Sequence, residues 1–172
     1  LKRVILGHAV MFTMRGVPTV YSGDEQGFVG KGGDQDSRQS LFASKTATYN
    51  EDRLLGTTTT TAQANFNQQH PLYTTIAKLA KIRTGSAALR RGDTIVRNYA
   101  EGPGLFAFSR IDKASGEEVL TVINTSTAPL SANVELDPKS TALSSLHGKC
   151  PTAPRAPAAT SPRISSRERN SN

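Results

Sequence analysis

The first 21 residues carry two apolar patterns of different period. Apolar side chains recur at positions 1, 4, 5, 11 and 12, with others at 6, 9, 10 and 14. This spacing predicts a helix over residues 1–15 that is covered on most sides, and Gly16 follows it where a C-cap glycine would stand. The β-branched and aromatic run at 17–21 predicts a short buried strand, in which Pro18 is tolerable only near the beginning.

A stretch without clear periodicity follows, from residue 22 to residue 69. A connection of this length is usually functional or contains an element that the pattern does not reveal. Helical spacing resumes at His70, and the proline that follows suits the first position of a helix. The pattern predicts a helix over residues 70–83.

Farther along the chain the apolar period changes to two. Alternation predicts four short strands, at 94–99, 105–111, 118–125 and 131–136, with Gly, Pro and Ser turn signals separating the segments. Evenly spaced short strands indicate a sandwich or another antiparallel sheet. Residues 151–172 contain four prolines and one large aliphatic side chain, Ile164, so we expect this tail to be disordered.

The formal net charge of +7 does not indicate a nucleic-acid binder. The tail holds four arginines against one glutamate, and the remaining charge is spread thinly, without the basic stripe and interleaved aromatics of such proteins. No apolar run approaches the roughly 18 residues of a membrane span. Cys150 is the only cysteine, which excludes an intrachain disulfide, and the three histidines are too scattered for a metal site. We therefore expect no cofactor.

The segment GVPTVYSGDEQG at 16–27 resembles the eighth-strand motif of the α-amylase superfamily (glycoside hydrolase family 13), roughly G-x-P-x-[IV]-Y-x-G-[DE]-E-x-G. The matching positions are Gly16, Pro18, Tyr21, Gly23, Glu25 and Gly27. The next segment, GKGGDQDSRQSLF, is similar to the family's aspartate-and-arginine loop through Asp34, Asp36, Arg38 and Phe42. The helix from His70 and the segment ALRRG resemble the eighth barrel helix and its exit, so the likeness covers residues 1 to about 150.

The resemblance implies a chain that is α/β plus all-β. Residues 1–87 would be the last helix–strand–helix portion of a (β/α)8 TIM barrel, and residues 88–150 a small antiparallel β-sandwich C-terminal domain, followed by the tail at 151–172. In the family, the nucleophile, the acid/base and the stabilising carboxylate lie on the fourth, fifth and seventh strands. We therefore expect a longer parent with these strands upstream of Leu1, where the sequence starts within a helical pattern.

The same resemblance implies a fragment of a retaining glycoside hydrolase that acts on α-glucans such as starch, maltooligosaccharides or related α-glucosides, and that is inactive by itself. The implied partner is the α-glucan or oligosaccharide substrate of the parent, with no nucleic acid and no membrane. A secreted or periplasmic parent is implied by the family alone. The alternative is a non-catalytic carbohydrate-binding or structural β module, for which residues 88–150 would need exposed aromatics beyond Tyr99, Phe106 and Phe108.

Barrel enzymes build their sites at the carboxyl ends of strands, so we expect four residues to form a substrate-site wall: Tyr21, Asp24, Glu25 and Arg38. None is expected to be catalytic, because adjacent carboxylates leaving a strand point to opposite sides, whereas a retaining pair stands about 5–5.5 Å apart. The alternatives are a structural hydrogen bond for Glu25, a surface ion pair with Asp36 for Arg38, and barrel packing for Tyr21, which the apolar strand favours.

The spacing of Asp34 and Asp36 has the form of a calcium loop. It lacks the glycine after the third acid and the distal glutamate of an EF-hand. We therefore expect no metal in this chain, and calcium enters only as a ligand of the full-length parent.

Overall fold

The computed structural model describes residues 1–30, 33–35, 37–140 and 142–147. These residues form two compact units, the first of residues 1–12 and 16–82, the second of residues 13–15 and the chain from Arg83 onward. The domain bounds predicted above stay predictions. The tail at 151–172, expected to be disordered, lies outside the described residues.

The first unit is built from helices joined by long connections. Its elements are α1 (Lys2–Thr13), a short 3-10 helix (Asp24–Gln26), α2 (Ala47–Asn50) and α3 (Pro71–Gly85). Both helices predicted from the apolar spacing are present, α1 within 1–15 and α3 beginning one residue after His70. Thr13 and the last three residues of α3 belong to the second unit. The buried apolar side chains of the first unit include Phe12, Leu54 and Leu72.

The buried strand predicted at 17–21 is wrong. The structure assigns no strand there, and Val17 is 91% exposed and Tyr21 62% exposed. A strand is stable only when a neighbouring strand takes up its backbone hydrogen bonds. The described part of the first unit contains no second strand, so this apolar run has no partner. The packing role favoured for Tyr21 fails for the same reason.

The second unit contains α4 (Ala87–Arg91) and a four-stranded sheet of β1 (Asp93–Asn98), β2 (Leu105–Asp112), β3 (Glu117–Asn124) and β4 (Ala142–His147). The strands lie in sequence order, with β1, β2 and β3 antiparallel. The first three agree with the strands predicted from alternation. However, β4 pairs parallel to β3, so the sheet is not purely antiparallel as predicted. The described residues form a single sheet. The β-sandwich, which requires two packed sheets, therefore stays a prediction.

The fourth strand predicted at 131–136 is also wrong, although its alternation is real. Ala132 is buried and Val134 and Leu136 are half-buried, whereas the residues between them are exposed. The segment pairs with no strand, and the edge of β3 is occupied by β4 instead. Alternating exposure follows from packing one face of a segment, and it does not require a backbone ladder.

Helix α4 packs on β2 and β3 and is anchored at its beginning by side chains. The Ser86 hydroxyl accepts from the backbone N–H of Leu89 and donates to the Glu117 carboxylate at 2.7 Å. The same carboxylate accepts from the N–H of Ala88 at 3.1 Å. A helix N-terminus leaves N–H groups without partners, so a hydroxyl and a carboxylate here fix where α4 begins.

Arg110 on β2 is 1% exposed, and its hydrogen bonds go to backbone carbonyls. Its Nε and Nη2 atoms donate to the Gly92 carbonyl, and Nη1 donates to the carbonyl of Thr13. Arg83 donates to the neighbouring carbonyl of Met14. Carbonyls at a helix end lack intrahelical partners, and two buried guanidinium groups satisfy them here. Burial lowers the pKa of Arg110, and the charges of Arg83 and Arg15 lower it further.

Candidate functional site

The candidate wall residues Tyr21, Asp24 and Glu25 lie together in one tight turn of the first unit. Gly23 and Gly27 flank the 3-10 helix with φ of 101° and 74°, both in the left-handed region. A Cβ at Gly23 would meet the Phe28 ring at 2.6 Å, and one at Gly27 would meet the Leu55 carbonyl oxygen at 2.3 Å. The two motif glycines are therefore required by the turn itself, because it allows neither a side chain nor an ordinary φ.

Both carboxylates of the turn accept hydrogen bonds from the turn's own backbone. Asp24 Oδ2 accepts from the N–H of Tyr21 at 3.0 Å, and Glu25 Oε2 accepts from the N–H of Gly23 at 3.0 Å. The structural hydrogen bond considered for Glu25 is therefore present. Neither residue follows a strand, and the phenol-bearing Tyr21 side chain is exposed beside them. The turn presents one exposed aromatic ring and two partly exposed carboxylates to solvent.

Arg38 pairs elsewhere in the same unit. Its Nη2 atom lies 2.5 Å from Oδ2 of Asp34, four residues before it, and both side chains are well exposed, at 57% and 76%. The partner expected from the sequence, Asp36, lies outside the described residues. An exposed pair of this kind contributes about 0–1 kcal/mol to stability. Within the described residues, Arg38 is hydrogen-bonded to Asp34 and makes no hydrogen bond to the Tyr21–Glu25 turn.

The candidate calcium loop is described only in part, because Asp36 lies outside the described residues. Asp34 is paired with the Arg38 guanidinium, and no group of three or more His, Cys, Asp or Glu side chains comes together among the described residues. Calcium takes six to eight oxygen ligands, and its presence in the full-length parent stays a prediction. Likewise, within the described ranges, no helix is both long enough and apolar enough to cross a membrane.

A histidine of α1 stands beside the turn. His8 on α1 is 9% exposed, and its Nδ1 atom lies 2.9 Å from the Val4 carbonyl oxygen. Its Nε2 atom lies 4.0 Å from Oδ2 of Asp24, and both residues line a shallow cavity of about 300 Å³. Because the Val4 carbonyl can only accept, Nδ1 is the donor of this bond, and Nε2 is the ring atom that lies nearer the Asp24 carboxylate.

His70 is a second histidine that the sequence did not indicate as a candidate site residue. It is 1% exposed, and its Nδ1 atom accepts from the N–H of Leu72 in the first turn of α3. This bond assigns the neutral tautomer with the proton on Nε2, an atom that makes no hydrogen bond within the described residues. Burial lowers the pKa of His70, and the carbonyls of Leu55 and Glu25 that face the ring offset the effect only partly.

The 3-10 helix is tied to the segment before α3 through Gln26. The Gln26 side chain donates to the Asn67 carbonyl at 3.2 Å and accepts from the Asn67 N–H at 3.0 Å. The Leu55 N–H donates to the Gly27 carbonyl at 2.7 Å. Residues about 30 and 40 positions apart in the chain thus hold the turn in place, and no local pattern in the sequence marks these pairs.

No family model matches the chain. Among curated proteins, it is 46% identical over 124 residues to an α-amylase of Streptomyces lividans, a match that covers 72% of this chain and 14% of the relative. It is 31% identical over 114 residues to a β/α-amylase of Paenibacillus polymyxa, covering 66% of this chain and 7% of the relative. Among solved structures, the crystal structure of a MutB mutant in complex with glucose matches 72% of this chain and 30% of its own, with a TM-score of 0.49 and 16% identity.

The chain thus spans a small part of the length of the curated relatives that it matches. The matched share of the chain is nevertheless large, and 46% identity over 124 residues is far above the level at which unrelated sequences agree. The matched segment of the chain therefore belongs to the α-amylase family.

Proposed function

We propose that the chain is part of a retaining glycoside hydrolase of family 13 that acts on α-glucans such as starch and maltooligosaccharides. The observation that carries this proposal is the 46% identity with the Streptomyces lividans α-amylase. In this proposal, residues 1–87 complete a (β/α)8 barrel and residues 88–150 belong to a C-terminal β-sandwich domain.

Within the parent, the Tyr21–Glu25 turn would form part of the substrate-site wall. Three features of the turn support this role: the exposed Tyr21 ring, the partly exposed carboxylate of Asp24, and the fixed backbone between Gly23 and Gly27. A sugar ring packs its C–H face on an aromatic ring, while carboxylates accept hydrogen bonds from its hydroxyls. Arg38 would contribute to the same wall through its guanidinium, with Asp34 as its present partner.

The chain by itself would not hydrolyse a glycoside. A retaining mechanism needs an acid and a nucleophile that flank one bond, and the carboxylates of Asp24 and Glu25 are both hydrogen-bonded to their own turn. Purified chain is therefore expected to show no turnover of starch or of aryl α-glucosides. Turnover that is abolished by Glu25→Gln would contradict this, because glutamine keeps an acceptor for the Gly23 N–H while removing the charge.

A chimera tests the parent's function directly. The homologous segment of the Streptomyces lividans α-amylase is replaced by the matching segment of this chain. A cooperative thermal unfolding transition first shows that the chimera is folded, and starch hydrolysis is then measured on a fresh sample. We expect hydrolysis, with Tyr21→Ala raising KM for maltooligosaccharides more than it lowers kcat, because a wall contact is made in the ground state as well. A chimera that folds and binds maltooligosaccharides without hydrolysing them would instead support the non-catalytic carbohydrate-binding module.

A further inference from the structure

Two phenylalanines that are 24 positions apart meet on the surface of the first unit. The ring centroids of Phe42 and Phe66 are 5.1 Å apart with an interplanar angle of 68°, an edge-to-face pair. The two residues are 69% and 55% exposed, so the pair has not been buried by the fold. Exposed aromatic surface is costly in water, and an aromatic pair at the surface is one kind of feature on which a ligand can pack.

The pair stands at the edge of a cavity of about 340 Å³, which Phe66 lines. Four amide side chains and two threonine hydroxyls belong to the lining, together with His70 and the apolar side chains of Leu54 and Ala64. The size is within the usual range for small-ligand sites, as is the combination of an aromatic wall with a few polar groups. Gln63 in this lining makes no side-chain hydrogen bond within the described residues, so its amide can donate to and accept from a ligand.

No Asp, Glu, Lys or Arg lines this cavity among the described residues. Its single titratable group, His70, has a lowered pKa because it is buried, and is therefore neutral near pH 7. A cavity without charged groups gives no compensation for the desolvation of an ion, whereas amides and hydroxyls compensate the desolvation of hydroxyls. The lining therefore favours a neutral, hydroxyl-rich ligand with one apolar face.

The face is held rigidly by its own loop. The Asn65 N–H donates to the Leu41 carbonyl and the Ser44 N–H to the Thr61 carbonyl, both at 2.8 Å, and these bonds join the segments that carry the two rings. The buried Asn65 side chain donates to two further carbonyls, and Thr61, which is 0% exposed, donates to the carbonyl of Tyr49. A binding face that is ordered before the ligand arrives loses little conformational entropy on binding.

We propose that Phe42, Phe66 and the adjoining polar cavity form a binding site for a neutral α-glucan, with a glucose ring packed on the Phe66 face and its hydroxyls bonded to Gln63. This site lies beside the Tyr21–Glu25 turn, because Gln26 of the 3-10 helix lines its cavity, and it needs no catalytic group. Its ligand class rests on the proposed function, because the geometry selects a neutral sugar and the relationship to α-amylases selects an α-glucan.

The test measures binding of maltoheptaose to the purified 172-residue chain by NMR titration, with cellohexaose as the competing sugar. Phe66→Leu keeps an apolar side chain and removes the aromatic face, and Phe66→Ala removes both. The matched control is Tyr99→Ala, an aromatic residue in the second unit that is 72% exposed and distant in sequence. Circular dichroism of each variant checks that the fold is kept.

We expect maltoheptaose to bind wild type and Tyr99→Ala equally, and to bind either Phe66 variant about tenfold more weakly, since a well-packed aromatic contact is worth roughly that factor. Three results would overturn the site: no binding to wild type, equal binding of cellohexaose, or equal effects of Phe66→Leu and Tyr99→Ala. Hydrolysis by the chimera described above is measured separately. A chimera that hydrolyses starch, together with a chain that does not bind maltoheptaose, would refute the site alone. A chain that binds maltoheptaose, together with a chimera that does not hydrolyse starch, would refute the enzymatic function alone.

Discussion

The Arg97 guanidinium lies 2.7 Å from the Glu118 carboxylate inside the second unit, where the arginine is 13% exposed and the glutamate 0%. Arg97 is at the irregularity of β1 between Val96 and Asn98, and the extra residue of such a bulge turns its side chain toward β2 and β3. Burial by itself raises the pKa of Glu118, but hydrogen bonds from Ser109, Ser140 and Arg97 outweigh it, so the pKa is lowered. The Glu118 carboxylate is therefore ionised, and both of its oxygens accept hydrogen bonds.

We predict that Glu118→Leu destabilises the chain by about 3–5 kcal/mol, because it leaves the Arg97 charge without its partner in the interior. It also removes the acceptor of the Asp137 N–H and the Ser140 hydroxyl. Urea unfolding measures the change. The matched control is Lys113→Ala, which breaks the exposed pair of Lys113 with Asp93 and is expected to cost far less, because solvent screens an exposed pair. Equal costs for the two variants would contradict the assignment of the Arg97–Glu118 pair as structural.

Gly27→Ala tests the turn of the candidate site. The new Cβ would lie 2.3 Å from the Leu55 carbonyl oxygen at a φ of 74°, so the loop has to move and the residue is strained. We expect a loss of about 1–3 kcal/mol or more in the free energy of unfolding. Gly7→Ala in α1 is the matched control, because its Cβ would meet nothing within 4 Å and helical alanine is favoured over glycine by about 1 kcal/mol. A stable Gly27→Ala variant would show that the turn is not held as described.

The stability of the chain should depend on His70 in weakly acidic solution. Its pKa is lower in the folded chain than the ordinary 6.5, so folding favours the neutral ring. The contribution is complete above the ordinary pKa and is lost as the pH falls from there toward the folded value. His70→Asn keeps an acceptor for the Leu72 N–H without titrating. Urea unfolding at pH 7.5 and 5.5 should show a smaller decline for this variant than for wild type, and equal declines would refute the role of His70.

Asp112 sets a second pH dependence, in strong acid. Arg91, which donates to both carboxylate oxygens at 3.2 Å, and Ser115 lower the pKa of Asp112 to about 2. The contribution of the ionised carboxylate is present above the ordinary pKa of 3.8 and is lost as the pH falls through about 2. An NMR titration of the Asp112 side chain should give this lowered value, and Arg91→Gln should return it toward the ordinary one. An unchanged midpoint in Arg91→Gln would exclude the arginine as the cause.

The sequence determined the elements whose stability is mainly local or periodic. Helices α1 and α3 satisfy their own backbone hydrogen bonds, so apolar spacing sufficed to predict them, together with the proline at the first position of α3. Strands β1, β2 and β3 are joined by short turns, and consecutive antiparallel strands can pair locally. The motif glycines were given by the resemblance to the α-amylase superfamily, and the structure supplies the reason: the turn holds Gly23 and Gly27 at φ values that residues with side chains rarely adopt.

Tertiary structure decided everything that depends on a distant partner. The alternation at 131–136 indicated the buried face correctly but not the ladder, because β3 can pair on that side with only one segment, which is β4. The run at 17–21 has strand composition but no neighbouring strand in the described unit. Phe42 and Phe66, or His8 and Asp24, are separated by connections without periodicity, and their proximity follows from hydrogen bonds between loops, which leave no repeating pattern of residues in the sequence.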